Sequence, residues 1–302
     1  MTTKSSFSQR HPLLFGLMLI MAAMALLAGG VAAFRYVAGQ GGGKGSLDSA
    51  GDKLGVVRIQ GIIDSSEPAT EWINALRDDD SVLGVLVRVN CPGGAVAPSQ
   101  EIHAALRRLA EAKPVVVSMA SVAASGGYYV SAPAHVIVAN PSTLTGSIGV
   151  IMELSNLEGL FDKLGIKRQA LTSGKLKDAG SPFRAMTSDD RAYLSTLLTD
   201  IHEQFLADVA SARGMEVDAL RPVADGRALT GNQALEAGLV DRLGGYDDAL
   251  EELRAMCNAS AEVPLVEQPE EKRPLLQRIL GQVHITVHTG LDPQQDLDIR
   301  LR

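Results

Sequence analysis

The sequence predicts an α/β domain built on a largely parallel sheet and carried behind one membrane-spanning helix. Three observations predict it. Apolar, β-branched runs recur along the middle of the chain, segments of helical periodicity lie between them, and a stretch near the N-terminus carries no charge over 22 residues. With 46% of its 302 residues hydrophobic, the chain has ample material for a packed core, which excludes wholesale disorder.

The uncharged stretch is Leu13–Phe34. At about 1.5 Å per residue it reaches roughly 33 Å as a helix, enough to cross a hydrocarbon core. It exceeds the usual apolar region of a cleaved signal peptide, so a retained signal anchor is expected, although Ala28, Gly29, Ala32 and Ala33 are small enough for a cleavage site. Lys4 and Arg10 precede the span, and Arg35, Lys44 and Lys53 follow it, so basic residues do not orient it. A short N-terminal tail before a single span places the rest of the chain outside the cytoplasm, in the cell (inner) membrane, with lipid as partner of the anchor. Gly39–Ser46 has Gly45 where a phosphate-binding loop needs Ser or Thr, and reads as a tether. The expected organisation is a tail (1–12), the span (13–34), a flexible linker (35–52), one folded domain (53–257) and an extension (258–302).

Within the domain, Leu54–Ile59, Val82–Val89, Val115–Met119 and Val136–Ala139 read as strands buried on both faces. Ile102, Ala105, Leu106 and Leu109 fall on one helical face, as do Leu157, Leu160, Phe161 and Leu164. A long helix over Ser188–Arg213 aligns Leu194, Leu197, Leu198, Ile201, Phe205 and Val209, with Thr187 and Asp190 as its capping pair. Lys167–Leu171 reads as a further strand. Val263–Arg273 reads as a linker, and Leu275, Leu276, Ile279 and Val283 suggest a short helix.

Composition excludes several functions. The 28 Lys and Arg against 35 Asp and Glu leave a net charge of -7, and one Trp with six Phe offers no stacking platform, which speaks against nucleic acid as a partner. Cys91 and Cys257 cannot by themselves make a disulfide framework or a four-ligand zinc site, and the six histidines form no HExxH pair, so no metal is expected.

Three glycine- and serine-rich turns carry the candidate chemistry. Asn90-Cys91-Pro92-Gly93-Gly94 follows a buried strand directly, and amides exposed at such a turn can hold an oxyanion. Ala123–Tyr128 carries Ser125, and Leu144–Val150 carries Ser147; either serine could be a turn former or a nucleophile. None of the histidines stands in a motif that implies a triad, His103 and His202 falling in helices. Lys177, in the Gly-, Ser- and Pro-rich segment Thr172–Arg184, is the alternative base, with Lys175 as neighbour and rival. A lysine abstracts protons near neutral pH only when burial or another cation lowers its pKa from about 10.4.

Taken together, Asn90–Gly94, Ala124–Pro133, Pro141–Val150 and Ser173–Arg184, followed by Asp225–Gly231 and Gly238–Ala249, resemble the signal peptide peptidase A (SppA) family from about Leu54 to Met256. The resemblance implies a Clp-protease/crotonase-like ββα superhelix and a membrane-anchored serine endopeptidase with a Ser–Lys dyad, working without cofactors. By position it implies Ser147 as nucleophile and Lys177 as general base. It further implies an oxyanion hole from the amides of Gly93 and Ser147, with Gly94, Gly146 and Ser173 in support. Cys91 departs from the serine that relatives often carry there. The implied substrates are signal peptides left in the membrane, and the implied assembly is a ring-like homo-oligomer whose catalytic groups meet between chains. A crotonase-like acyl-CoA enzyme and a non-catalytic membrane scaffold of the same fold are the alternatives.

Overall fold

The computed structural model describes residues 51–268, the strand at 299–301 and, within the first 50 residues, Met21. The expected span at 13–34 and the helix expected around Leu275–Val283 therefore lie outside the described residues, Met21 apart. Among the described residues no helix is long and apolar enough to cross a membrane.

The domain begins β1 (Lys53–Gln60), α1 (Glu67–Asp78), β2 (Val82–Cys91), β3 (Gly94–Ala95), α2 (Val96–Ala112), β4 (Val115–Ala124), α3 (Gly126–Ser131) and β5 (Val136–Ala139). It continues β6 (Leu144–Gly146), β7 (Ile151–Met152), α4 (Glu158–Lys163), α5 (Ser188–Arg213), α6 (Val217–Leu220), β8 (Ala228–Thr230) and α7 (Gly231–Glu236). Then come β9 (Arg242–Leu243), α8 (Tyr246–Met256), β10 (Leu265–Glu267) and β11 (Ile299–Leu301). The main sheet runs β10-β1-β2-β4-β5-β9, every neighbour parallel.

Register shows why the strands are apolar throughout. Val57, Val87, Val117 and Ile137 lie side by side across four strands and face one core, with Trp72, Ile73 and Leu76 of α1, Leu106 and Leu109 of α2, and Phe205 and Val209 of α5. One residue earlier, Leu86 and Val116 face the opposite side, where Ala249 and Leu253 of α8 cover them. Period-two alternation puts these rows on opposite faces, and helices cover both, so the strands are mostly apolar; the buried Ser118 beside Arg88 is an exception, and it accepts a hydrogen bond from that arginine.

β4 changes partners halfway. Val116–Met119 pair with β5, whereas Val122–Ala124 pair with β6, which in turn pairs antiparallel with β8. This divergence carries the ends of β4 and β6 out of the main sheet beside the turn after β2, where Cys91 lies opposite Ala123. The functional turns converge there.

The strands expected over Leu54–Ile59, Val82–Val89, Val115–Met119 and Val136–Ala139 form, as does the helix Ser188–Arg213, where Thr187 and Asp190 close a reciprocal capping box at the start. Three expectations are corrected. Lys167–Leu171 is exposed and irregular rather than a strand. Residues 265–267, expected in a linker, form β10 because the open edge of β1 accepts them, with Val266 buried. The helix through Leu157–Leu164 forms only as the six-residue α4, and it buries none of its side chains: Leu160 and Leu164 are 52% and 63% exposed. On its apolar face Phe161 packs against Phe183, while the two leucines stay exposed.

Candidate active site

Two non-glycine residues near these strand ends have left-handed backbone, Ser125 (φ 54°) and Ser147 (φ 49°), the serines singled out in the sequence. Such conformations cost energy for side chains with a Cβ and persist only where surroundings hold them. Ser125 follows β4 and Ser147 follows β6, and the Ser125 amide donates to the Gly146 carbonyl at 2.8 Å. The two differ in access. Ser125 is fully buried and its hydroxyl has no hydrogen-bond partner among the described residues. Ser147 opens onto a pocket of about 490 Å³ lined also by Val150, Ile151, Leu198, His202 and Asp225.

The glycines around Ser125 have a packing reason. A Cβ on Gly126 would stand 2.7 Å from the Ser99 hydroxyl and 3.2 Å from the Gly93 Cα, and one on Gly127 would stand 2.4 Å from the Cys91 carbonyl oxygen. The Gly-Gly pair therefore lets α3 begin directly against the turn after β2. Gly94 is as constrained, since its Cβ would fall 2.1 Å from the Ile63 oxygen. The Ile63 amide donates to the Gly93 carbonyl, and the Ala95 amide to the Ile63 carbonyl, which hold this turn to the strand entrance on the other side.

Both amides expected in the oxyanion hole already have partners. The Ser147 amide donates to the Arg227 carbonyl at 2.9 Å, extending the β6–β8 ladder, and so is already spent. The Gly93 amide, at φ 118°, donates to the Cys91 sulfur at 3.3 Å. Sulfur is a weak acceptor, and a carbonyl oxygen can displace it. Burial pushes the Cys91 thiol pKa up, which keeps it protonated and unreactive. Asp225–Arg227 brace Ser147 from the opposite side: its hydroxyl donates to the Gly226 carbonyl at 3.3 Å, and the Gly226 amide donates to the Ile148 carbonyl.

Lys177 is placed elsewhere within the chain. It is exposed, and it is not among the side chains lining the Ser147 pocket. Ser173 is exposed too, and Lys175 is committed to an ion pair with Asp189. The segment bearing them is nonetheless moored. Arg184 forks the Asp178 carboxylate (3.0 Å to each oxygen) and also reaches the buried Asp190 of the α5 cap. Phe161 and Phe183 meet edge to face at 4.9 Å. The Asp-and-Arg spacing in Lys177–Arg184 is thus a loop clamp, a role the sequence reading missed. It also missed His202, brought to the pocket by the four-residue ladder Leu194, Leu198, His202 and Leu206; that spacing was the available signal.

Ser147, His202 and Asp225 are the residue types of a hydrolytic triad, but the triad is not assembled. The His202 Nε2 has no hydrogen-bond partner among the described residues, and Arg227 holds the Asp225 carboxylate through two nitrogens at 2.7 and 2.6 Å.

β11 shows what the cleft accommodates. Its three residues lie antiparallel between β3 and β7, with Leu301 opposite Gly94, Arg300 opposite both Ala95 and Ile151, and Ile299 opposite Met152. Extended backbone is therefore gripped on both edges between the Gly93–Gly94 turn and the segment leaving Ser147.

Residues 107–260 match the family described as Peptidase family S49. A candidate protease of Methanocaldococcus jannaschii is 43% identical over 195 residues, covering 64% of this chain and 63% of the relative. One of Synechocystis is 36% identical over 231 residues, 76% of this chain and 83% of the relative. A candidate signal peptide peptidase SppA of Enterococcus faecium is 38% identical over 183 residues, 60% of this chain and 53% of the relative. The chain thus spans less than two thirds of the archaeal and enterococcal proteins.

Proposed function

The chain belongs to peptidase family S49 and is a serine peptidase, and from that premise we propose a membrane-anchored endopeptidase that uses Ser147 as nucleophile and Lys177 of a neighbouring copy as general base. The observation that carries this reading is the two-edged strand slot beside a pocket-facing serine. Main-chain pairing along β3 and β7 holds a peptide independently of its side chains and presents its backbone carbonyls to the site.

In the reaction, the uncharged Lys177 amine takes the proton from the Ser147 hydroxyl as its oxygen adds to the scissile carbonyl. The Gly93 amide, exchanging sulfur for oxygen, stabilises the resulting oxyanion. The protonated lysine then gives its proton to the departing amine, and water hydrolyses the acyl-enzyme by the reverse sequence. A lysine serves as a general base where burial favours its neutral form, and Lys177 is exposed in one protomer. The exposed Leu160 and Leu164 of α4, on the segment that leads to Lys177, support a homo-oligomer as the source of that burial. A ring of such contacts closes on itself and leaves no face open, within the Clp-like architecture that the sequence resembles.

The uncharged stretch Leu13–Phe34 supports a single-pass anchor in the cell membrane with the catalytic domain outside the cytoplasm, and signal peptides left in the bilayer are the proposed substrates. The test is cleavage of fluorogenic signal-peptide sequences by the full chain in detergent, wild type beside Lys177→Ala. The expected result is a fall in kcat/KM of at least about a thousandfold in the variant. Equal activity of the two proteins would remove Lys177 from the mechanism.

A further inference from the structure

Resting on the proteolytic reading, we propose that His202 is a specificity-determining residue, the polar floor of a subsite that takes a hydroxyl-bearing substrate side chain. On the inward ladder of α5, Leu194 and Leu206 are buried and apolar, and His202 interrupts them with a polar ring. Its Nε2 is shielded from solvent and has no hydrogen-bond partner among the described residues. A buried polar nitrogen left unpaired costs free energy that a ligand regains by supplying the missing bond. The pocket into which His202 faces is open to a ligand, and Ser147 is part of its wall.

The remaining walls narrow the chemistry. Val150, Ile151 and Leu198 are apolar and favour a small side chain with aliphatic character. The Asp225 carboxylate also lines the pocket, which disfavours an acidic side chain, and Arg227 already satisfies it, which removes the reward for a basic one. A neutral imidazole nitrogen donates or accepts according to its tautomer, and a hydroxyl answers either. Serine and threonine combine that capacity with the size the walls allow. Ile151 belongs both to the pocket and to the β7 edge, so the subsite lies alongside a strand bound in the slot.

The test compares peptides that differ only by threonine against its isostere valine, placed in turn at each position around the scissile bond. It is run with wild type, His202→Leu and His202→Gln full-length protein. Wild type is expected to prefer threonine about tenfold in kcat/KM at one position, the fold-change worth one neutral hydrogen bond. His202→Leu loses the ratio, and His202→Gln, which can still donate and accept, keeps most of it. A wild type indifferent to the hydroxyl at every position overturns the inference, as does a ratio that survives in a folded His202→Leu protein. If cleavage of every peptide is lost in both variants while circular dichroism stays native, His202 is a base rather than a subsite residue, and the inference is again overturned. Absence of cleavage by wild type itself rejects the proteolytic reading, and the subsite with it.

Discussion

The amide of Ser125 donates to the carbonyl of Gly146, so the two left-handed serines end neighbouring strands and the fold presents two candidate nucleophiles side by side. Access separates them, because only Ser147 lines a pocket and Ser125 is fully buried. Ser147→Ala is therefore expected to abolish labelling by a fluorophosphonate probe and to lower kcat by at least about a thousandfold, whereas Ser125→Ala keeps the label. Gel fluorescence of the two variants decides the matter. Labelling that follows Ser125 instead would reverse the assignment.

Lys177 is exposed and Ser147 is buried at a pocket wall in one protomer, and the proposed mechanism completes the dyad between copies. Mixing Ser147→Ala with Lys177→Ala subunits is expected to restore activity, since some interfaces then join an intact serine to an intact lysine. A binomial mixture in a ring restores up to about a quarter of wild-type activity if each site works independently. A mixture as inactive as both parents would place the whole dyad within one chain. Charging the exposed Leu160 or Leu164 of α4 should reduce activity and oligomer size together, read by peptidase assay and light scattering.

Much of this was legible in the sequence, for identifiable reasons. Strands buried on both faces cannot hide their composition, so Val82–Val89 and Val136–Ala139 stood out. The capping box at Thr187 and Asp190 marked the start of α5 to the residue. Three-residue strands such as β10 are too short to show a period and exist only because a neighbouring edge accepts them. The exposed face of α4 had the spacing of a buried helix, because periodicity reports that a face is apolar and not what covers it. At the site, the turns were visible as glycine clusters, but the commitment of the Ser147 amide to Arg227 depends on pairing 80 residues apart. Nothing local in the sequence announces such a bond.

Acid should loosen the entrance of β1. Lys53 is buried and pairs with Asp79 at 3.1 Å, and the Ser81 hydroxyl, with the Ser81 amide and this lysine, holds the Asp79 carboxyl at about 2, below its ordinary 3.8. A carboxyl depressed in the folded state favours folding at pH values above its unfolded pKa, and that contribution disappears as pH falls from about 4 to about 2. Asp79→Asn is expected to cost on the order of 2 kcal/mol near neutral pH and progressively less below pH 4. Urea midpoints for the two proteins between pH 7 and pH 2 should therefore converge on the acid side. A difference independent of pH would show that the carboxylate charge is not what matters.

The strand at 299–301 occupies the slot proposed for a substrate and is expected to compete with one. It pairs antiparallel with both Gly94–Ala95 and Ile151–Met152, the two edges on which a peptide depends, and a segment of the same chain competes at an effective concentration that can reach the millimolar range. Competition of this kind raises the apparent KM and leaves kcat alone, because tail and substrate exclude each other from one slot. Removing residues 299–302 is accordingly expected to lower KM several-fold at unchanged kcat. A synthetic peptide covering residues 296–302, added to the truncated protein, should act as a competitive inhibitor and return KM toward its original value. Each half of the experiment checks the other. A truncation that altered kcat would point to a structural role for β11, and one that changed neither constant would mean that substrate enters by edges other than β3 and β7.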